Sequence, residues 1–307
     1  MWGDMSRLRM VKKNKKGFEI SFSWLFSIIA GMSIFLFLVW FAVQQTDLFG
    51  NLTAKVAVDE LDIAFTGFKS NLVGSKLEFG KEIELEFKCD TSTLDEERMF
   101  VNGIAGKKLK GNIVFAPSLM ESNEFRLFIA GWNVPFRVTN FIFLNSNKNL
   151  LNLNDMSEDF GDIPGIFNDG TNSVPFQIFQ TTLSGSCPAE KTIYYQIDLD
   201  TGEAFGTICI NGNPHPYYGT AFVYAAIFAD SKNFVCIYDN AIEKFNVMKE
   251  IYLEKLKVVG GCSLEKGNIR DALEQLNLRN LDISRIKINE IEDNNNDLLR
   301  KGCEGLY

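Results

Sequence analysis

Histidine is almost missing from this chain: of 307 residues, only His215 is one. A single imidazole excludes metal sites built on two or three histidines and leaves at most one histidine as a general base. The common catalytic signatures are missing too. There is no G-x-S-x-G elbow, no P-loop, no H-E-x-x-H, no C-x-x-C and no dinucleotide glycine fingerprint. Gly202-Glu203-Ala204-Phe205-Gly206 holds only two glycines and falls in an expected hairpin. Six cysteines are too few to build a fold on disulfides, and no pair has the close spacing of a zinc site. No catalytic group, cofactor or metal site is therefore expected.

Charge is absent from Ile20 to Val43, a run of Ile, Leu, Phe, Val and Trp. As a helix this run rises about 36 Å, enough to cross a hydrocarbon core of roughly 30 Å. Trp24 and Trp40 stand near its ends, where amphipathic rings favour the membrane interface. Residues 1–19 carry six Lys and Arg against Asp4 and Glu19, a net of +4, while the whole chain is −8 and the remainder therefore −12. By the positive-inside rule, residues 1–19 form a cytoplasmic tail, 20–43 a single-pass signal-anchor, and the bulk lies outside. The lipid bilayer is one expected partner, with another membrane or envelope protein as the candidate second. The acidic body argues against nucleic acid, which requires clustered Lys and Arg. Ser23, Ser27 and Gly31 recur every four residues, a spacing that lets membrane helices approach closely. Asn51-Leu52-Thr53 is a glycosylation sequon just beyond the anchor.

The junction Lys15-Lys16-Gly17-Phe18 before an apolar helix resembles the leader of type IV prepilins, which are cut after Gly and assembled through that helix. Pilins usually carry Glu at the fifth mature position; here that position is Phe22, and the nearest acid is Glu19. In layout, with a Lys-rich tail, one anchor and an exported body, the chain resembles uncharacterised single-pass envelope proteins of archaea. That resemblance implies no site residues.

The exported part reads as α+β, strands first and helices later. Residues 44–70 form a stalk or first helix, 71–145 a β-rich domain, 146–175 a linker rich in Asn, Asp and Gly, and 176–307 an α+β domain. Lys81–Cys89 alternates cleanly, with Ile83, Leu85, Phe87 and Cys89 on one face. Further strands are expected at 98–101, 112–115, 125–129, 136–144 and 176–180. A hairpin joins 192–198 to 204–210. Helices are expected at 218–229, 240–258, 268–276 and 283–301. His215, between Pro214 and Pro216, reads as a stiff loop histidine. Acidic clusters at Asp155–Asp169 and around Asp198, Asp200 and Glu203 lack calcium-loop spacing and read as solvated turns.

A helix over 240–258 spans about 28 Å, whereas bridged Cα atoms lie within roughly 7 Å, so Cys236 and Cys262 at its two ends cannot pair. Cys262 with Cys303 is the first expected bridge, because the last two helices can fold back as a hairpin. Cys209 with Cys236 is the second, leaving Cys89 and Cys187 as free thiols. These readings point to a membrane-tethered interaction or structural module of the cell envelope. A pilin-like filament subunit and a tethered hydrolase are the alternatives.

Overall fold

The chain is mixed α+β, with its strands first and its helices gathered toward the C-terminus. The computed structural model describes residues 22–67, 74–89, 97–103, 106–109, 112–149, 177–198 and 201–307. The expected tail, and the linker from residue 150 onward, lie outside the described residues. The chain divides into two compact units, Met1–Leu52 and Thr53–Tyr307.

The expected anchor and the expected first helix form one element, α1 (Phe22–Gly67). No proline interrupts this stretch, so no backbone donor is lost along it. The first sheet follows: β1 (Ser75–Cys89), β2 (Glu97–Val101), β3 (Ile113–Phe115), β4 (Leu119–Asn133) and β5 (Arg137–Ser146), in the order β2-β1-β4-β5-β3. Pairing is antiparallel except for β3, which runs parallel to β5. Because side chains alternate along a strand, each face of this sheet has its own apolar set. Phe125, Leu127, Ile129, Ile142 and Leu144 pack with Ala57, Leu61 and Phe65 of α1. Phe128, Trp132, Phe141 and Phe143 point into a second cluster built with the later helices. Cover on both sides accounts for the uninterrupted apolar run 141–144.

The second sheet has the order β6 (Gln177–Phe179), β7 (Thr192–Ile197), β8 (Ala204–Ile210), β9 (Asn213–Tyr218). The hairpin β7–β8 has the expected bounds within a residue. β9 corrects the reading of 213–216 as a loop. It pairs antiparallel with β8, placing His215 opposite Ile208. Prolines fit here because β9 is an edge strand, and Pro214 and Pro216 share the parity that faces away from β8. The carbonyl of Pro216 accepts a bond from Tyr238 Oη on that outward side, at 2.6 Å.

Helix α2 (Thr220–Phe228) is enclosed: every residue from Ala221 to Phe228 is buried. Helix α3 (Ser231–Val258) begins nine residues before the expected Asn240, because Asp230 caps it by accepting from the Asn233 N–H at 2.9 Å. Helices α4 (Ser263–Gln275) and α5 (Leu281–Arg300) complete the body. Strands of both sheets and the helices α2 to α5 contribute to the same buried cluster. The 71–145 and 176–307 regions therefore share a core.

Candidate functional site

Within α1, the window Trp24–Phe41 is long and apolar enough to cross a membrane, and none of it is buried. Trp24 and Trp40 are both more than half exposed, at 55% and 57%. Gly31 has open space around it, with no atom within 4 Å of where a Cβ would stand. Ser27 is exposed on the same helix. The side chains of Ser23 and Asn51 lie outside the described residues.

All six cysteines are bridged. Cys262 joins Cys303, with Cα atoms 6.4 Å apart, and ties the start of α4 to the segment after α5. The expected Cys209–Cys236 pair is corrected. Cys209 lies in β8 and bonds Cys187, in the loop before β7, at a Cα separation of 5.4 Å. The same loop is laid against the β8–β9 turn by the Gly212 N–H, which donates to the Pro188 carbonyl at 3.1 Å. Cys236 lies inside α3, and bonds Cys89 at the end of β1, 6.0 Å away by Cα. Neither Cys89 nor Cys187 is a free thiol. The expected pairing failed because it set Cys236 on a flank of the helix, whereas the early start of α3 carries it into the second turn, beside β1. Asn233 Nδ2 donates to the Phe87 carbonyl there, at 3.3 Å.

The acidic turn between β7 and β8 forms part of the fold. Glu203 Oε2 accepts from the Thr220 N–H at 2.7 Å and from Thr220 Oγ1 at 3.0 Å, closing the first turn of α2. Thr201 Oγ1 meets Tyr218 Oη at 3.0 Å. Asp198 is buried, and its carboxylate faces Arg285 Nε at 4.0 Å, while the Arg285 guanidinium lies 3.9 Å over the Phe205 ring. Asp200 lies outside the described residues, as does the cluster Asp155–Asp169. Among the described residues, no group of three or more His, Cys, Asp and Glu is placed to hold a metal ion.

Sequence reasoning missed Lys191. Its Nζ donates to the carbonyls of Ala226 at 2.7 Å and Ala229 at 2.9 Å, the last turn of α2. Burial disfavours the charged amine and pushes its pKa down to about 8, against a smaller upward pull from Asp230. A lone lysine before a strand carries no pattern that would have marked it. Arg285 was missed for the same reason, since its partners Asp198 and Phe205 come from distant strands.

His215 was expected as a stiff loop histidine, and its ring is instead packed beneath α3, edge-to-face with Phe234 and Tyr238. Burial holds its pKa below the ordinary imidazole value; Asp239 acts in the opposite sense and Arg279 in the same sense. No cysteine is available to form a Cys–His pair with it, because every thiol is oxidised. Compared with protein-family models, curated proteins and solved structures, the chain finds no match in any of the three. The functional reading therefore rests on its own residues.

Proposed function

We propose that this protein is a membrane-tethered module of the cell envelope, with residues 1–19 in the cytoplasm and the body outside, acting through contacts rather than chemistry. The observation that carries the reading is the division of labour along the chain. The apolar window Trp24–Phe41, none of it buried, is followed by a body in which every cysteine is bridged. Disulfides persist in oxidising exteriors and are rare in the cytosol. The charge difference across the apolar run supports this orientation. A neighbouring membrane or envelope protein is the proposed partner, alongside the bilayer itself. Protease added to intact spheroplasts tests the reading: the body should be digested and the tail protected. Digestion of the tail alone would reverse the topology, and resistance of both segments would place the body in the cytoplasm.

A second reading, a pilin-like subunit assembled through its apolar helix, draws support from α1 being a single helix from Phe22 to Gly67. Intact mass separates the two readings. A mature chain starting at Phe18 favours the pilin-like subunit, and one retaining Met1 to Val43 favours the permanent anchor.

A further inference from the structure

One titratable ring joins β9 to α3. The His215 ring centre lies 6.0 Å from that of Phe234 and 5.2 Å from that of Tyr238, both in edge-to-face contact. Its Nε2 is buried and makes no hydrogen bond. One residue along the strand, Tyr238 Oη donates to the Pro216 carbonyl at 2.6 Å. The ring contacts and this bond hold the same strand to the same two turns of α3. Those turns also carry Cys236, which is bonded to Cys89 of β1. This part of α3 is thus held covalently to the first sheet and non-covalently to the second.

We propose that His215 is an acid-sensitive latch: on taking up a proton it releases β9 from Phe234 and Tyr238, while the Cys89–Cys236 bridge keeps α3 on the first sheet. A protonated imidazole donates from both nitrogens, and Nε2 has no acceptor in its packed position. The ring is half-buried, so the cost falls on Nε2, whose N–H lies buried without a partner and regains water only if the contact opens. The charged groups around it give only partial relief, since Asp239 favours the cation by less than burial disfavours it and Arg279 opposes it. From α3 comes Asp239, but Arg279, from the connection between α4 and α5, holds that carboxylate at 2.7 Å. From β8 comes the apolar Ile208, directly opposite. From α5, Glu292 acts on Tyr218 at the far end of β9. The attraction of the Phe234 and Tyr238 rings for a cation is smaller than the cost of burying one without an acceptor. The downward displacement of the His215 pKa by burial agrees with this balance.

The chain contains one histidine, so its imidazole resonance is assigned without a variant. The full chain in nanodiscs, titrated from pH 8 to 4.5, should show a His215 midpoint below the ordinary value of about 6.5. Amide exchange, compared at each pH with His215→Phe to remove the intrinsic rate, should speed up roughly threefold or more across that midpoint in 213–218 and 234–238, on the scale of tenfold per pKa unit. The first sheet, at 113–115 and 141–144, should not change. His215→Gln serves as the non-titrating reference if the Phe variant fails to fold. A midpoint at or above the ordinary value, the same acid response in the variants, or a response spread evenly over both sheets would each overturn the latch.

Discussion

Glu203 and Lys191 seal opposite ends of the same buried helix, the carboxylate bonded to the Thr220 N–H that opens α2 and the ammonium to the Ala226 and Ala229 carbonyls that close it. Each charge has the sign that the helix dipole favours at its end. An enclosed apolar helix cannot turn its end groups to water, and these two side chains supply partners from the residues just before β7 and β8. Removing the N-terminal one, by Glu203→Ala, should cost about 1–2 kcal/mol in denaturant unfolding. A change smaller than a few tenths would show that water replaces the carboxylate there.

Lys191 gives a pH dependence with a definite sign. Its folded pKa of about 8 lies below the ordinary lysine value of 10.5, so the unfolded chain binds the proton more tightly. Stability should therefore rise with pH through the interval from about 8 to 10.5, by at most about 3 kcal/mol at 1.36 kcal/mol per unit. Lys191→Met should flatten that rise, and comparing the two proteins cancels the contribution of the tyrosines, whose upward displacement acts in the opposite sense above pH 10. Parallel slopes for wild type and variant between pH 8 and 10 would refute the assignment.

Gly219 sits at φ +105°, and a Cβ there would stand 2.8 Å from Trp132 Cδ1. The same indole donates through Nε1 to the Tyr218 carbonyl at 2.8 Å, so it has little freedom to retreat. Gly219→Ala should cost about 2–4 kcal/mol, combining backbone strain with overpacking. Gly212→Ala, at φ +78° but with open space around it, should cost about 1 kcal/mol. Near-UV circular dichroism of Trp132 should change in the first variant only.

The three bridges should differ in weight. In the chain-entropy account, closing 147 residues with Cys89–Cys236 stabilises by about 5 kcal/mol, 41 residues with Cys262–Cys303 by about 4, and 22 with Cys187–Cys209 by about 3. Paired Cys→Ala variants should follow that order in urea unfolding. Non-reducing peptide mapping checks the connectivity directly, and a Cys209–Cys236 peptide would contradict the structure.

Asn295 supplies a local test. It stands in the middle of α5, buried, and its Oδ1 accepts from the Leu306 N–H at 2.6 Å, while Lys255 Nζ donates to the Leu306 carbonyl at 2.6 Å. Asn295→Ala should cost about 1–3 kcal/mol, since a buried N–H loses its acceptor. Limited proteolysis should then cut after Lys301 faster in the variant than in the wild-type chain.

Where periodicity alone decides an element, the sequence was readable. The alternation of Lys81–Cys89 and the turn at 198–203 marked β1 and the β7–β8 hairpin, and the Ala-rich aromatic run at 218–229 marked a buried helix. The failures have distinct physical causes. Prolines hid β9, because their missing donors matter only on the side of a strand that faces a neighbour. Three asparagines in a row in α5 gave no sign that one of them, Asn295, is a buried acceptor for a distant backbone N–H. Cysteine partners depend on which strand end meets which helix turn, and that is set by register and by the cap at Asp230, which periodicity does not report. The polar groups around α2 come from separate loops and converge only in three dimensions.

The two prolines of β9 have a consequence for crowding. Copies of a protein meet at high local concentration in the cell, and an open strand edge is a template for the next copy. On the outward side of β9, Pro214 and Pro216 offer no N–H, and the Pro216 carbonyl is already taken by Tyr238. A neighbouring strand that arrives at this edge finds almost nothing to pair with, so β9 is a poor template for extending the sheet with a second copy.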